Sequence, residues 1–444
     1  MSQVTFVENR GKTAFWQDVA GVLKRNGHKV SWIVQNPVYK PSAPGGDVVV
    51  LRFPNPGDLQ DAAIPEAVNT DRGRTLFGAG HRHYAHYQRE IDQALTQLNP
   101  SLVIGESTLF HELLTIDACA VRGIPYVHPT GTRYPNGRMM LFEGNTQVPA
   151  VRSGDVWPDE KLDLFARSLQ TGNALPDYMR VPGKFALYIR KARLALGHAR
   201  TLWGRILGDH YNTPSLTRKL ALSRQLKANL VVWKQLERLP DTGLEAGPVI
   251  LYPLQMQPEA NIEVWGRPFS NQVEIVERCL SALPANGQVA VKANPKSKYE
   301  VSEALLALAR RDPRVVLLPL DCRMPVAQDL AVGAVTVTGT VGYEAVFGRG
   351  RCISLRHPIV EQHFPAFHAQ TPEAAVGRLL DDPQAGRGNL DTGRALLKLL
   401  IADSFEGRIN ELAFDPDCRS PENIERVAGV LEKLLHKLEQ QHVA

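Results

Sequence analysis

Ala331-Val-Gly-Ala-Val-Thr-Val-Thr-Gly-Thr-Val-Gly-Tyr-Glu-Ala-Val-Phe-Gly-Arg-Gly-Arg-Cys-Ile-Ser-Leu355 reads as a strand, a turn, a helix and a second strand. The β-branched run from Val335 to Thr338 predicts a short buried strand, Gly339-Thr340 a turn, and the sequence from Val341 a helix. Cys352 to Leu355 predicts the next strand. A strand feeding a helix through such a turn gathers first-turn N–H groups, hydroxyls and the positive end of a helix dipole at one strand end. Doubly wound sheets hold phosphate at that place. Glu344, about one turn into the helix, is positioned to reach ribose hydroxyls.

Working outward, the preceding residues repeat the pattern. Pro248 to Leu254, Gln288 to Lys292 and Arg314 to Leu318 predict strands, separated by helices over Gln272–Leu283 and from about Tyr299 to Arg311. Strand and helix alternation of this kind implies a parallel sheet covered on both faces. Helices over Pro372–Leu380, about Thr392–Ala402 and Asn423–Gln440 close the chain.

Residues 1–150 predict a second α/β unit. Val4 to Val7, Lys29 to Val34, Asp47 to Phe53, Ser101 to Gly105 and Ile124 to Val127 are its strands, with helices over Thr13–Asn26 and His83–Leu98. In the common 3-2-1-4-5 order the first and fourth strands are neighbours at the topological switch point. Glu8 and Glu106 follow those strands, which makes both candidates for a general base or a clamp on a substrate hydroxyl. The loop His128 to Arg138, with Arg133 between, suits contact with a phosphate, carboxylate or sugar acid. Gly11-Lys12-Thr13 lacks the first glycine of a P-loop, since Phe6 stands in its place. His83, His86 and Glu90 share one helical face, read as a polar face rather than a metal site. Asp415-Pro-Asp417 has a DxD spacing but lies in a terminal loop, and is not read as metal-binding.

Length and composition set the frame. A chain of 444 residues exceeds what one core sustains, about 250–300 residues, and predicts two domains. Its five cysteines are scattered with no CxxC pair, pointing to a reducing, cytoplasmic setting. No signal-peptide pattern and no run of about 18 apolar residues stands out. The net charge of +5 hides an asymmetry: Arg180 to Arg238 holds thirteen Lys/Arg against Asp209 and Glu237, a local +11 that leaves the remainder at −6. Aromatic and aliphatic residues interleave this basic helical stretch, which suits contact over residues 180–238 with an anionic membrane or a polyanionic acceptor. No nucleic-acid-binding motif accompanies it. The expected domains are 1–150, a basic helical insertion over 151–245, 246–385, and C-terminal helices over 386–444.

Three pieces at predicted strand ends, Tyr252-Pro-Leu-Gln-Met-Gln-Pro-Glu259, Val291-Lys-Ala-Asn-Pro295 and Thr338-Gly-Thr-Val-Gly-Tyr-Glu-Ala345, resemble in order and spacing the capsule polysaccharide biosynthesis proteins, which include capsule Kdo transferases. The resemblance is strongest over about 248–360. Looser features are Glu8-Asn-Arg10 with Trp16, Gly105-Glu106, and Arg133 to Arg138 followed by Phe142-Glu143. It implies an α/β fold of GT-B type, two Rossmann-like doubly wound domains facing across a cleft, with donor in the C-terminal domain and acceptor in the N-terminal one. It implies a glycosyltransferase using a nucleotide-activated sugar, CMP-linked in some relatives, and a polysaccharide or lipid-linked acceptor, with no metal or other cofactor. Transferred by position, Gln257 and Glu259 border the donor, with Glu259 a third catalytic carboxylate beside Glu106 and Glu8. Lys292, Asn294 and Pro295 contact the nucleotide or its phosphate, and Thr338, Gly339, Thr340 and Glu344 hold phosphate and ribose. Arg10, His128, Arg133 and Arg138 fall to the acceptor side. Relatives usually carry His-Pro at Asn294-Pro295 and often His at Gln255; Asn donates a hydrogen bond but carries no charge. Those departures also suit a different donor or a member that has lost transfer and serves as a scaffold, and the twin-domain plan suits a nucleotide-sugar epimerase.

Overall fold

The computed structural model describes residues 2–172, 184–241, 246–294, 296, 299–410 and 415–443, with the backbone alone at 184–194, 416 and 441–443. Pro295 lies outside the described residues, as do 180–183 of the basic stretch. The chain forms two compact units, the first from Met1–Val156, Leu175–Ser215 and Leu399–Ala444, the second from Trp157–Ala174 and Leu216–Lys398.

Twelve strands are described: β1 Gln3–Val7, β2 Lys29–Val34, β3 Asp47–Val50, β4 Leu102–Ile104, β5 Tyr126–Gly131, β6 Arg138–Glu143, β7 Val249–Pro253, β8 Gln288–Lys292, β9 Val315–Leu317, β10 Gly333–Thr336, β11 Cys352–Ser354 and β12 Phe405–Glu406. The first sheet runs β12-β6-β5-β4-β1-β2-β3 and the second β11-β10-β7-β8-β9. The central strands are parallel, and their near-continuous apolar runs, Phe6-Val7, Trp32-Ile33-Val34 and Val249 to Tyr252, are buried as strands covered on both faces must be. The first sheet keeps the expected 3-2-1-4-5 core, and the second sheet has the same order. The expected pair of Rossmann-like units is present.

Several boundaries differ from expectation. The stretch after β5 is not an open loop: residues 126–131 and 138–143 pair antiparallel, because Met139 to Phe142 supply an apolar run that extends the sheet edge. β12 then pairs antiparallel with β6. The strand at Asp47 stops at Val50, and the helix expected from Tyr299 begins at Glu303, where the Ser302 hydroxyl accepts the N–H of Leu305 as an N-cap.

The insertion and C-terminal segments are shared between the units rather than standing apart. The basic stretch holds two helices, Lys184–Leu207 in the first unit and Leu216–Leu236 in the second. Trp233 of the latter is fully buried in the second core and donates to the Leu318 carbonyl at 2.9 Å, so it belongs to the interior rather than to an anion-facing arm. The helix Pro421–Val443 returns to the first unit. Its stripe Ile424, Val427, Leu431 and Leu434 recurs at helical spacing and closes the core around Phe15, Trp16 and Val19. Arg419 to Asp18 and Arg25 to Glu425 flank that packing.

Candidate functional site

In the second unit, β8, β7 and β10 are consecutive in the sheet, so the residues after their carboxyl ends emerge side by side. β7 and β10 are the first and fourth strands, which places the switch point between them. Two side-chain locks hold this edge. The Gln255 amide donates to the Thr338 hydroxyl at 3.1 Å and accepts the Thr338 N–H at 3.2 Å. Gln272 receives the Gln255 N–H at 2.8 Å and donates to the Gln255 carbonyl at 2.8 Å and to the Gln257 side chain at 3.0 Å. A neutral amide that both donates and accepts is what this reciprocal pair requires, which explains glutamine at 255.

Thr338 was expected to face a phosphate, but its hydroxyl donates to the Asn261 carbonyl at 2.7 Å and accepts from Gln255. It therefore braces the loop. The Gln257 amide donates to the Ser270 carbonyl at 3.1 Å, Glu259 accepts from the Asn261 amide at 3.1 Å, and the Asn294 side-chain Oδ1 accepts the Lys296 N–H at 2.9 Å. Gly339 N–H donates to the Thr336 hydroxyl at 3.2 Å, and a Cβ at 339 would lie 2.5 Å from that oxygen, so the turn needs glycine. The helix Thr340–Val346 starts immediately beyond. Glu344 on this helix is largely buried, with its carboxyl pushed up by burial and pulled back by Arg349 at 3.7 Å.

Lys292, the last residue of β8, is the decisive group. It is 6% exposed, and burial pushes its ammonium below the ordinary lysine range. Among the described residues its one hydrogen-bond partner is the Ala293 carbonyl at 3.2 Å, and no carboxylate lies within ion-pair distance. A buried cation without a counter-ion costs stability, and Lys292 is held at the sheet's carboxyl edge against that cost.

In the first unit the register sets Phe6 opposite Ile104, so Glu8 and Glu106 leave their strands at the same level, as expected. They do not form a pair. Glu8 is buried and bridges two strand ends, accepting the N–H of Arg10 at 2.6 Å and of Asn36 at 3.1 Å, and burial pushes its carboxyl up. Glu106 turns to Lys12, 2.5 Å away, and stays partly exposed. Arg10 holds φ 35°, a strained conformation for a non-glycine residue. Its guanidinium donates to the Asn212 carbonyl and Thr213 hydroxyl and lies 3.6 Å from the buried Asp209. Asp209 also accepts from Asn36, while Asn212 contacts Gln35 and His111.

This polar cluster is what the sequence reading missed. Gln35 and Asn36 directly follow β2, and the strand-end rule that singled out Glu8 would also have selected them. Asp209, one of two acids in a basic stretch, was a second signal.

The remaining acceptor-side candidates separate. His128 lies inside β5, its Nδ1 2.8 Å from the Gly144 carbonyl, and burial lowers its pKa to about 4, so it stays neutral at pH 7. Arg138 is buried, donating to the Ser404 hydroxyl at 2.7 Å, to the carbonyls of Ile401 and Ser404, and to Asp155. It braces the chain's return to the sheet and does not face solvent. Arg133 keeps partial exposure in the connection between β5 and β6. His83 and His86 are not a polar face: His83 stacks on Tyr211 at 4.0 Å among aromatics, with its pKa lowered by burial to about 3, and His86 reaches the Arg52 carbonyl at 2.7 Å.

Glu112 supplies a pH test of this unit. It is fully buried, accepts the Thr108 and Leu109 N–H groups, and has its pKa pushed by burial from 4.5 to about 7. The folded state therefore holds more protons than the unfolded one between these values, and stability falls as pH rises through that window. Glu112→Gln is expected to flatten that slope, read from urea midpoints taken across it.

Fold and strand-end groups together define a class: a twin Rossmann-like α/β protein whose second unit carries a buried lysine at the carboxyl end of β8. No protein-family profile and no curated protein matches the chain. Solved structures that it resembles include the UDP-GlcNAc 2-epimerase from Methanocaldococcus jannaschii (12% identity, 90% of this chain and 99% of that chain, TM-score 0.26). CalG4, the calicheamicin glycosyltransferase, gives 14% identity, 98% of each chain and a TM-score of 0.25. The glycosyltransferase SsfS6 from Streptomyces sp. SF2575 gives 11%, 89% and 95%, with a TM-score of 0.21. Likeness at this level carries no functional weight, and the fold class rests on the two strand orders.

Proposed function

We propose that the chain is a glycosyltransferase, moving a sugar from a nucleotide-activated donor to a growing bacterial capsule or other surface polysaccharide or glycolipid. The observation that carries this reading is Lys292, a buried cation with no counter-ion among the described residues, at the carboxyl end of β8 in the sheet whose β10 leads into the Gly339-Thr340 turn. In the reaction, the bond from the anomeric carbon to the donor phosphate oxygen breaks and its electron pair leaves with the phosphate. Lys292 and the N-terminal end of the helix Thr340–Val346 would balance that growing charge. Glu344 would bind ribose hydroxyls, and Gln257 and Glu259 would border the sugar. The acceptor oxygen bonds to the anomeric carbon and its proton passes to a carboxylate, with Glu106 the more accessible of the two first-unit candidates.

A specific observation favours a second reading. Glu8 is enclosed by its own unit, and Glu106 is engaged by Lys12, an arrangement that also suits a nucleotide-sugar epimerase, which needs no acceptor base.

The test is a thermal-shift screen of CMP-, UDP-, GDP- and CDP-linked sugars, followed by product analysis with and without acceptor glycans. One nucleotide class is expected to stabilise the protein, by about 2.7 kcal/mol at one hundred times its Kd. Nucleotide release that requires acceptor supports transfer, and sugar conversion without acceptor replaces it with epimerisation. No stabilisation by any of the four sinks both.

A further inference from the structure

The helix Lys184–Leu207 is amphipathic in an inverted sense. Its small residues Thr201 and Gly204 face the rest of the first unit: the Thr201 hydroxyl lies 3.0 Å from Tyr39 Oη, and a Cβ at 204 would collide with the Asn36 amide. The opposite face turns large apolar side chains outward. Leu196, Trp203, Ile206 and Leu207 recur at i, i+7, i+10 and i+11 and are 57%, 54%, 65% and 45% exposed. An ordinary surface helix buries such residues and exposes the polar ones.

The charge on this helix says what could cover them. It holds six Lys/Arg and no Asp or Glu, within a stretch of net +11 in a chain of net +5. Arg200 is exposed on the apolar face itself, where its stem can lie along the hydrocarbon boundary and its guanidinium can reach outward. Among the described residues no helix is long and apolar enough to cross a membrane, so insertion in the plane of the interface is the geometry left to this face.

We infer that the outward face of this helix over 196–207 docks on an anionic lipid surface, with Trp203 and Ile206 entering the acyl boundary and the Arg200 guanidinium meeting headgroup phosphates. This docking stands apart from the proposed transfer reaction, because it needs neither nucleotide nor acceptor. A protein partner or second copy would also cover apolar residues, but neither explains a cationic helix without a single acid.

Flotation of the full chain with vesicles of phosphatidylcholine alone, or of phosphatidylcholine and phosphatidylglycerol in equal parts, tests it. Binding is expected to be at least about tenfold stronger on the anionic vesicles and to weaken with added salt. Trp203→Ser/Ile206→Ser should lower it by about tenfold or more, as should Arg200→Glu, with far-UV circular dichroism unchanged. Should the double variant fold poorly, Arg200→Glu alone decides. No binding to anionic vesicles, or binding indifferent to these substitutions, overturns the inference. So does sedimentation showing an oligomer of the unaltered chain that the substitutions dissolve.

Discussion

Lys292→Met is expected to weaken nucleotide binding by roughly tenfold to a hundredfold while leaving the second unit at least as stable as before. Methionine fills nearly the same volume at the end of β8 and removes a buried cation that has no counter-ion among the described residues. Replacing buried charge by a well-packed apolar group is commonly neutral or stabilising, by about 1–4 kcal/mol. A lost charge-assisted contact to a phosphate costs about 1.5–3 kcal/mol, or roughly tenfold to a hundredfold in affinity. Calorimetric titration with the nucleotide that emerges from the screen, beside the thermal midpoint of the apo protein, reads both quantities. A variant that loses stability and affinity together would make Lys292 a structural fixture.

The same residue gives a pH signature of definite sign. Burial holds the folded pKa of Lys292 below its unfolded value of about 10.4. Between those two values the unfolded chain binds more protons, so stability rises with pH across the window. Anion affinity moves the opposite way, because the cation it needs is losing its proton. Lys292→Met should erase Lys292's contribution to both slopes.

Arg138→Ala is expected to fail through stability rather than through acceptor binding. The guanidinium meets the carbonyls of Ile401 and Ser404 and the Ser404 hydroxyl, at the end of the helix Leu390–Asp403. Last-turn carbonyls have no intrahelical donor and carry the negative end of the dipole, so a buried cation serves them twice. Ser153 reaches the Ile401 and Ala402 carbonyls at 3.1 Å from the same side. Removing the arginine leaves these oxygens short of donors, a loss of about 3 kcal/mol. Arg138→Lys should recover only part of it, because an ammonium lacks the planar fork. Hydrogen exchange at β6 and β12 should localise the loss, with the KM for acceptor unchanged in the folded fraction. A raised KM without loss of protection would return Arg138 to the acceptor side.

These two residues show what could be read ahead of the fold. Lys292 ends a five-residue buried strand with the apolar centre Val289-Ala290-Val291, and both the strand and the ligand-facing end of its sheet follow from local periodicity and right-handed crossovers. The same reasoning placed Glu8 and Glu106 level with each other before any coordinates. Arg138 looked like a loop arginine because the sequence around it contains glycine, proline and asparagine. Its partners Ile401 and Ser404 lie more than 260 positions away, and no local pattern announces them.

By itself the sequence determined the two α/β units, the glycine turn at 339 and the charge concentrated between Arg180 and Arg238, because these depend on neighbours within a few residues. Only the tertiary structure decided that Thr338 braces Gln255 and Asn261 instead of facing a ligand, that Glu8 is enclosed, and that Trp203 points out while Trp233 points in. Those outcomes turn on which distant backbone groups and side chains meet, and burial then fixes which charges and apolar faces are left for a partner.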